Sequence, residues 1–255
     1  MGLRPVGTAL RGRKVLLTGG SSGIGAATAE VLARRGCELL VTGRDEQGLN
    51  RVAERTGART LVADLGSPEE LRRVADRASR VEVLINNAGV GWSGELDAMP
   101  ASEVHRLLTV NLTAPVELTR MLLPAMRARG RGHVVFVSSI AAVGVGGESV
   151  YSASKAALRA FAASLRYEIS GDGLTVTTVL PGAVRTPFFQ RRGLPYERSF
   201  PRMLSAEKAA EQLVRAVERG SEESFLPRWL DLAARFQGVL PGTFHRLGRR
   251  FGQVR

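Results

Sequence analysis

Thr18-Gly19-Gly20-Ser21-Ser22-Gly23-Ile24-Gly25 follows a short apolar run at 15–18 and opens a helical pattern over 23–35. A strand, a glycine-rich turn and a helix in that order form the local architecture that receives phosphate. Glycines let backbone amides approach a pyrophosphate without a Cβ in the way, and the helix start adds unpaired N–H groups and positive dipole potential. Any tight strand-to-helix connection also favours glycine, so the stretch gains meaning only from its surroundings.

Those surroundings alternate. Residues 38–42, 60–63, 81–85, 133–138 and 174–180 read as further short apolar strands, separated by helical patterns. Asp45 can cap the helix after the second strand. Ser67-Pro68-Glu69-Glu70 is a helix start with a cap, a first-turn proline and a capping-box glutamate. Long helical patterns cover 101–129 and 150–170, and Ser205 and Gly220 bracket another. Alternating strands and helices imply parallel strands joined by right-handed crossovers, and short, wholly apolar strands suit a sheet covered on both sides. The expected fold is α/β: a single-domain, Rossmann-type doubly wound parallel sheet with helices on both faces, spanning 1–255. No repeat, low-complexity segment or linker divides the chain.

Composition narrows the function classes. The 255 residues are 44% hydrophobic, enough for a sizeable core, and carry a formal charge of +12. Lys14, Lys155 and Lys208 are the only lysines, so the basic character is almost all arginine. Aromatics make up 5% and do not interleave with the basic residues, which argues against nucleic-acid binding. Cys37 is the single cysteine, which rules out an intrachain disulfide and fits a reducing compartment. The N-terminal residues lack the apolar core of a signal peptide, and no apolar run is long enough to span a bilayer. A cytoplasmic location is expected, with membrane association as an added option. His105, His133 and His245 have no metal-binding company, so no metal site is expected.

The spacing TGxxxGxG at 18–25, Asn86-Asn87-Ala88-Gly89 after the fourth strand and Tyr151-Ser152-Ala153-Ser154-Lys155 stand in a fixed order. Together they resemble the short-chain dehydrogenase/reductase family in its form of about 250 residues, over about 14–186. The resemblance implies a nicotinamide cofactor held by Thr18, Gly19, Ser21, Ser22, Gly23, Ile24 and Gly25 of the turn, and by Asn87, Ala88 and Gly89. Asp64, with Leu65 beside it, resembles the position that contacts adenine. Gly43-Arg44 at the end of the second strand resembles the NADP-preferring arrangement: an acidic residue there would repel a 2′-phosphate, whereas Arg44 can fork onto it. Ser22 stands where some NADP-specific relatives carry a second basic residue. NADP(H) is therefore expected to be preferred, with NAD(H) as the alternative cofactor. Pro181, Gly182, Val184 and Thr186 resemble the segment that flanks nicotinamide, with Thr186 on the carboxamide.

Positions i and i+4 share one helix face, so Tyr151 and Lys155 are neighbours. A free phenol titrates near pH 10, and a nearby ammonium favours its ionised form. Tyr151 can then exchange a proton with a carbonyl or alcohol oxygen. The resemblance assigns Lys155 to the nicotinamide ribose as well. Ser138, thirteen residues before Tyr151, matches the substrate-orienting serine, with Ser139 as its close competitor. Asn111 matches the fourth catalytic member, holding a water that links Lys155 to solvent; asparagine is unfavourable mid-helix, which calls for a reason.

Residues 187–204 form the expected substrate loop, with Phe188, Phe189, Leu194, Tyr196, Phe200, Met203 and Leu204 either closing over a lipophilic substrate or packing on the protein. In the basic, amphipathic segment 228–255, Trp229, Leu232, Ala233, Phe236 and Leu240 make an apolar stripe among Arg228, Arg235, Arg246, Arg249, Arg250 and Arg255. It suits the protein core, a subunit contact or an anionic membrane surface. The reading is an NADP(H)-dependent oxidoreductase acting on a small carbonyl or alcohol, assembled as a homodimer or homotetramer. The alternative is a catalytically weak NADP(H)-binding regulatory or scaffold protein, which would need the turn but not the Ser138, Tyr151, Lys155 and Asn111 set.

Overall fold

Alternate residues of the short apolar runs point to opposite sides, so each strand feeds two cores. Leu16 and Leu17 of the first strand are both fully buried, in different clusters. The structure is a computed structural model, and it describes residues 8–194, 196, 202–243 and 246. Phe200, His245, Arg249, Arg250 and Arg255 lie outside the described residues.

The described strands are β1 (Lys14–Thr18), β2 (Glu38–Gly43), β3 (Arg59–Val62), β4 (Val83–Asn86), β5 (Gly132–Val137), β6 (Leu174–Pro181), β7 (Val184–Arg185), β8 (Leu204–Ser205) and β9 (Glu223–Leu226). Seven of them form one parallel sheet in the order β3-β2-β1-β4-β5-β6-β9. The order reverses between β1 and β4, the switch point at which doubly wound sheets leave a crevice beyond the strand ends. The helices are α1 (Gly23–Arg34), α2 (Glu46–Thr56), α3 (Pro68–Arg77), α4 (Ala101–Leu108), α5 (Ala114–Ala128), α6 (Ser149–Glu168), α7 (Phe188–Arg191), α8 (Ala206–Arg219) and α9 (Leu230–Val239). Leu32 of α1, Leu49 of α2 and Leu213 of α8 meet Leu17, Val41 and Val179 on one face. Leu71 of α3, Leu118 of α5 and Leu158 of α6 meet Leu16, Leu84 and Phe136 on the other. The doubly wound architecture is thus the one read from the alternating pattern.

Local capping fixes where helices begin. Asp45 accepts from Gly48 N at 3.0 Å, Ser67 from Glu70 N at 3.3 Å and Ser205 from Lys208 N at 3.2 Å. The Glu70 carboxylate does not close a reciprocal box; it accepts from Asp64 N instead and ties the end of β3 to α3.

Two expectations are corrected, and two features of the sheets go beyond them. The helical pattern at 101–129 divides into α4 and α5 around a π turn at Thr109–Thr113. Strand β9 and the ladder of β7 with β8 were not legible in periodicity; β9 is four residues, ESFL, at the sheet edge. The stripe of α9 is not its core face: Leu230 and Ala234 are buried, whereas Trp229, Leu232, Phe236 and Leu240 are exposed. Among the described residues, no helix is long and apolar enough to cross a membrane.

Candidate active site

The crevice at the switch point is built from backbone. Thr18 Oγ1 at the end of β1 accepts from Asn87 N and Ala88 N, both at 3.0 Å. Asn87 Nδ2 returns bonds to Thr18 O at 2.9 Å and Gly19 O at 3.1 Å. These bonds lock the glycine turn to the Asn86–Gly89 segment. A Cβ on Gly19, where φ is +66°, would lie 2.6 Å from Ala88 Cα, and one on Gly25 would lie 2.1 Å from Gly19 O. Both positions therefore require glycine. Ser22 precedes α1 in extended conformation without capping it through its side chain, and the first turn of α1 holds no acidic residue. That leaves a helix start whose dipole and amides fit a dinucleotide phosphate.

The flanking residues are placed consistently with such a ligand. Gly43 at the end of β2 backs onto Ser21, whose Oγ would lie 3.1 Å from a Cβ there. Arg44 is exposed, and no carboxylate pairs with it among the described residues. Asp45 is occupied in capping α2. Asp64 is exposed, and its carboxylate accepts from Gly66 N at 2.9 Å, while the Leu65 side chain is in the core. Gly182 N donates to Leu226 O at 2.7 Å, so the Pro181-Gly182 corner is fixed by β9. Val184 is buried, and the Thr186 side chain rests 3.1 Å from where a Gly23 Cβ would be.

On the other side of the crevice, α6 presents Tyr151 and Lys155, both buried. Lys155 Nζ lies 5.8 Å from the Tyr151 ring centroid and donates to Val137 O at 2.9 Å. Burial pushes the Tyr151 phenol up to about 12, a hydrogen bond with Ser139 pulls it back, Glu148 raises it and Arg192 lowers it. Burial pushes Lys155 down to about 8. The protein groups alone thus raise the phenol, contrary to the expectation drawn from the lysine.

Ser138 and Ser139 face opposite ways. Ser138 Oγ is buried and donates to Lys155 O at 2.8 Å, pinning the end of β5 to α6. Ser139 is in extended conformation, with φ −165° and ψ 157°, so its side chain points the opposite way from that of Ser138, where it lowers the Tyr151 phenol and its Oγ donates to Pro181 O at 3.5 Å. Its Oγ also accepts from Ala141 N at 3.1 Å. The offset counts residues, but alternation along extended backbone decides which hydroxyl faces the crevice.

Asn111 lies in the π turn, fully buried. Its Oδ1 accepts from Val90 N at 2.8 Å, and its Nδ2 donates to Val90 O at 2.9 Å and Ser154 Oγ at 3.2 Å. It therefore clamps the segment after Gly89. Asn111 Oδ1 and Lys155 Nζ both converge on Gly89, each 3.3 Å from where a Cβ would sit. A polar side chain at an opened helical turn answers why asparagine is tolerated there.

The 187–204 loop leaves and rejoins the fold through the β7–β8 ladder, which pairs Val184 with Leu204 and Arg185 with Ser205. Phe188 stands 5.6 Å from Tyr151, and Phe189 and Tyr196 continue the aromatic series at 5.7 and 5.2 Å. Phe188 and Tyr151 share an apolar cluster with Met99, Leu107, Ala141 and Trp92. Arg192 pairs with Glu148, both side chains largely buried, and stacks on Phe189 at 4.6 Å. A separation of 44 residues hides this pair from sequence reading. A cavity of about 180 Å³ lies under the loop, lined by Arg185, Thr186, Phe189, Gln190, Tyr196 and Met203.

A nucleotide-type crevice facing a buried Tyr–Lys pair is matched by known proteins. The short chain dehydrogenase family profile covers residues 13–196. The chain belongs to the short-chain dehydrogenase/reductase family. An uncharacterised oxidoreductase of Myxococcus xanthus is 33% identical over 93% of this chain and 97% of that protein. The 3-oxoacyl-(acyl-carrier-protein) reductase FabG of Escherichia coli K12 is 32% identical, over 69% of this chain and 75% of FabG. A short-chain dehydrogenase from Sphingobium yanoikuyae, solved in complex with NADPH, superposes with a TM-score of 0.79 at 32% identity, over 90% of this chain and 95% of that one. Family membership makes the chain an NAD(P)-dependent oxidoreductase of the short-chain type.

Proposed function

We propose that this dehydrogenase transfers hydride between NADP(H) and a lipophilic carbonyl or secondary alcohol, with Tyr151 as general acid/base. The observation that carries the reading is the buried Tyr151 and Lys155 of α6, with Lys155 Nζ beside Gly89 of the segment that Asn87 ties to the glycine turn. The turn residues 18–25, Arg44, Asp64, Asn87–Gly89 and Thr186 are the groups that would hold the dinucleotide; when bound, it supplies or accepts the hydride. Arg44 supports NADP(H), because a guanidinium just after β2, with no carboxylate partner among the described residues, favours a 2′-phosphate. Ser139, not Ser138, hydrogen-bonds the reacting oxygen. Tyr151 donates its proton to that oxygen in reduction and removes it in oxidation. Lys155 stands close enough to reach a ribose hydroxyl if it gives up Val137 O, and Asn111 holds the Val90 backbone and a water on the path from Lys155 to solvent.

Phe188 and the apolar cluster around Tyr151 support an apolar substrate. A panel of carbonyls and alcohols of graded hydrophobicity, assayed with NADPH and NADH, tests the reading. Turnover is expected to be best with lipophilic carbonyls and NADPH; no turnover with any of them, despite cofactor binding, would favour the scaffold alternative. A homodimer or homotetramer is expected, measurable by light scattering. Leu232, Val239 and Arg228, all exposed on or before α9, support peripheral attachment to anionic lipid. Arg235 adds less, since Asp231 neutralises it at 2.9 Å.

A further inference from the structure

Arg191, at the end of α7, reaches back across the crevice. Its Nη1 donates to Ser22 Oγ at 3.2 Å, a contact between residues 169 apart in sequence. Ser22 is the residue that precedes α1 without capping it, and the first turn of α1 contains no acidic residue. The guanidinium is therefore placed at the positive end of a helix dipole, where cations are disfavoured and anions favoured. It has no carboxylate partner among the described residues, unlike its neighbour Arg192, which pairs with Glu148. Arg44 stands on the other flank of the same turn, after Gly43 at Ser21, and it also lacks a carboxylate. Two guanidinium groups without a carboxylate partner among the described residues thus flank one helix start, and the Asp45 carboxylate beside Ser21 is taken up in capping α2.

We infer that Arg191 is a cofactor-phosphate clamp, carried not by the nucleotide-binding half of the fold but by the substrate loop. The inference rests on the cofactor reading above. A phosphate oxygen seated at the turn gains a charge-assisted bond from Arg191, in place of or beside the neutral Ser22 hydroxyl. The same short helix bears Phe188 against Tyr151, and Arg192 follows it against Glu148. Engagement of Arg191 therefore pulls the wall of the substrate site into its place over Tyr151, so that cofactor phosphate and substrate wall are bound together.

Calorimetric titration of the full chain with NADPH and with NADH, at several salt concentrations, tests this. Arg191 is exposed, so Arg191→Gln is expected to fold and to melt as the wild type does. It should weaken NADPH binding roughly tenfold, the scale of one charge-assisted contact, and flatten the salt dependence of Kd. Arg191→Lys, which keeps the charge, should recover part of the loss. Equal weakening for NADPH and NADH places the clamp on the diphosphate; weakening for NADPH alone places it on the 2′-phosphate. Unchanged affinity for both dinucleotides in Arg191→Gln, with wild-type binding intact, overturns the clamp. A wild type that binds neither dinucleotide overturns the cofactor reading itself, and the clamp with it.

Discussion

Replacing the two adjacent serines one at a time separates orientation of the reacting oxygen from support of the fold. Ser139 lowers the Tyr151 phenol and holds Pro181 O only at 3.5 Å, so in the proposed reaction Ser139→Ala removes the hydroxyl that would turn to the substrate oxygen. Loss of one such donor costs about 100- to 1,000-fold in turnover. Ser138 Oγ instead spends its proton on Lys155 O at 2.8 Å. Ser138→Ala removes a neutral, buried hydrogen bond, a loss of about 1 kcal/mol. In a chain of this size that is a fall of roughly 2–4 °C in Tm. Turnover should stay within about threefold of wild type, because Lys155 remains held by α6 and by Val137 O. Steady-state kcat with the best carbonyl of the panel, alongside thermal unfolding of both variants, reads the two effects separately. The reasoning is refuted if Ser138→Ala loses turnover by two orders of magnitude while Ser139→Ala keeps it.

Tyr151→Phe should reduce turnover at least about a hundredfold with NADPH affinity nearly unchanged, since only the proton carrier is lost; near-normal kcat would end the acid/base assignment. Arg44→Ala should erode an NADPH preference of about tenfold or more, read as the ratio of kcat/KM for NADPH and NADH, and equal efficiency with NADH in the wild type would contradict the role of Arg44. His133 bridges Thr8 and Thr177 at 2.8 Å each, and burial pushes it down from 6.5 to about 4. The unfolded chain binds the extra proton, so stability from this group is full above pH 6.5 and is lost as pH falls towards 4. Between pH 7.5 and 5 the loss is about 2 kcal/mol by urea unfolding, and His133→Gln should not show it; identical pH slopes in both proteins would refute the linkage. Flotation with anionic liposomes should recover the full chain and lose recovery when 228–251 is deleted; equal recovery of both would remove α9 from membrane binding.

The fold was legible because its signals are local. Apolar strands, caps at Asp45, Ser67 and Ser205 and the turn at 18–25 each act within a few residues, and their order dictates a parallel sheet. The Tyr151–Lys155 pair was legible for the same reason, since one helical turn sets its geometry. What escaped depends on direction or on distance along the chain. Ser138 and Ser139 differ by one residue, and only the extended backbone at Ser139 reveals which hydroxyl enters the crevice. The break at Thr109–Thr113 is marked by Pro115, which has no N–H to give the Asn111 carbonyl, and it becomes intelligible once Asn111 is seen holding Val90. Strand β9 is short and only half apolar, and its place at the edge of the sheet follows from pairing with β6. The α9 stripe misled because a helical period finds an apolar face without saying which face the protein covers.

The site also divides by chemistry. The cofactor half is made of backbone amides and close-packed glycines, whose placement is independent of titration. Around Tyr151, burial raises the phenol to about 12 and lowers Lys155 to about 8, so at neutral pH the phenol keeps its proton and Lys155 still carries its charge. In the proposed reaction a protonated phenol is the form that gives a proton to a carbonyl, so the apolar wall that covers Tyr151 would keep it ready for reduction at neutral pH. Phe188 supplies part of that wall, and it comes from the same short helix as Arg191. The segment that walls Tyr151 is thus the one that touches the glycine turn, through Arg191 and Ser22.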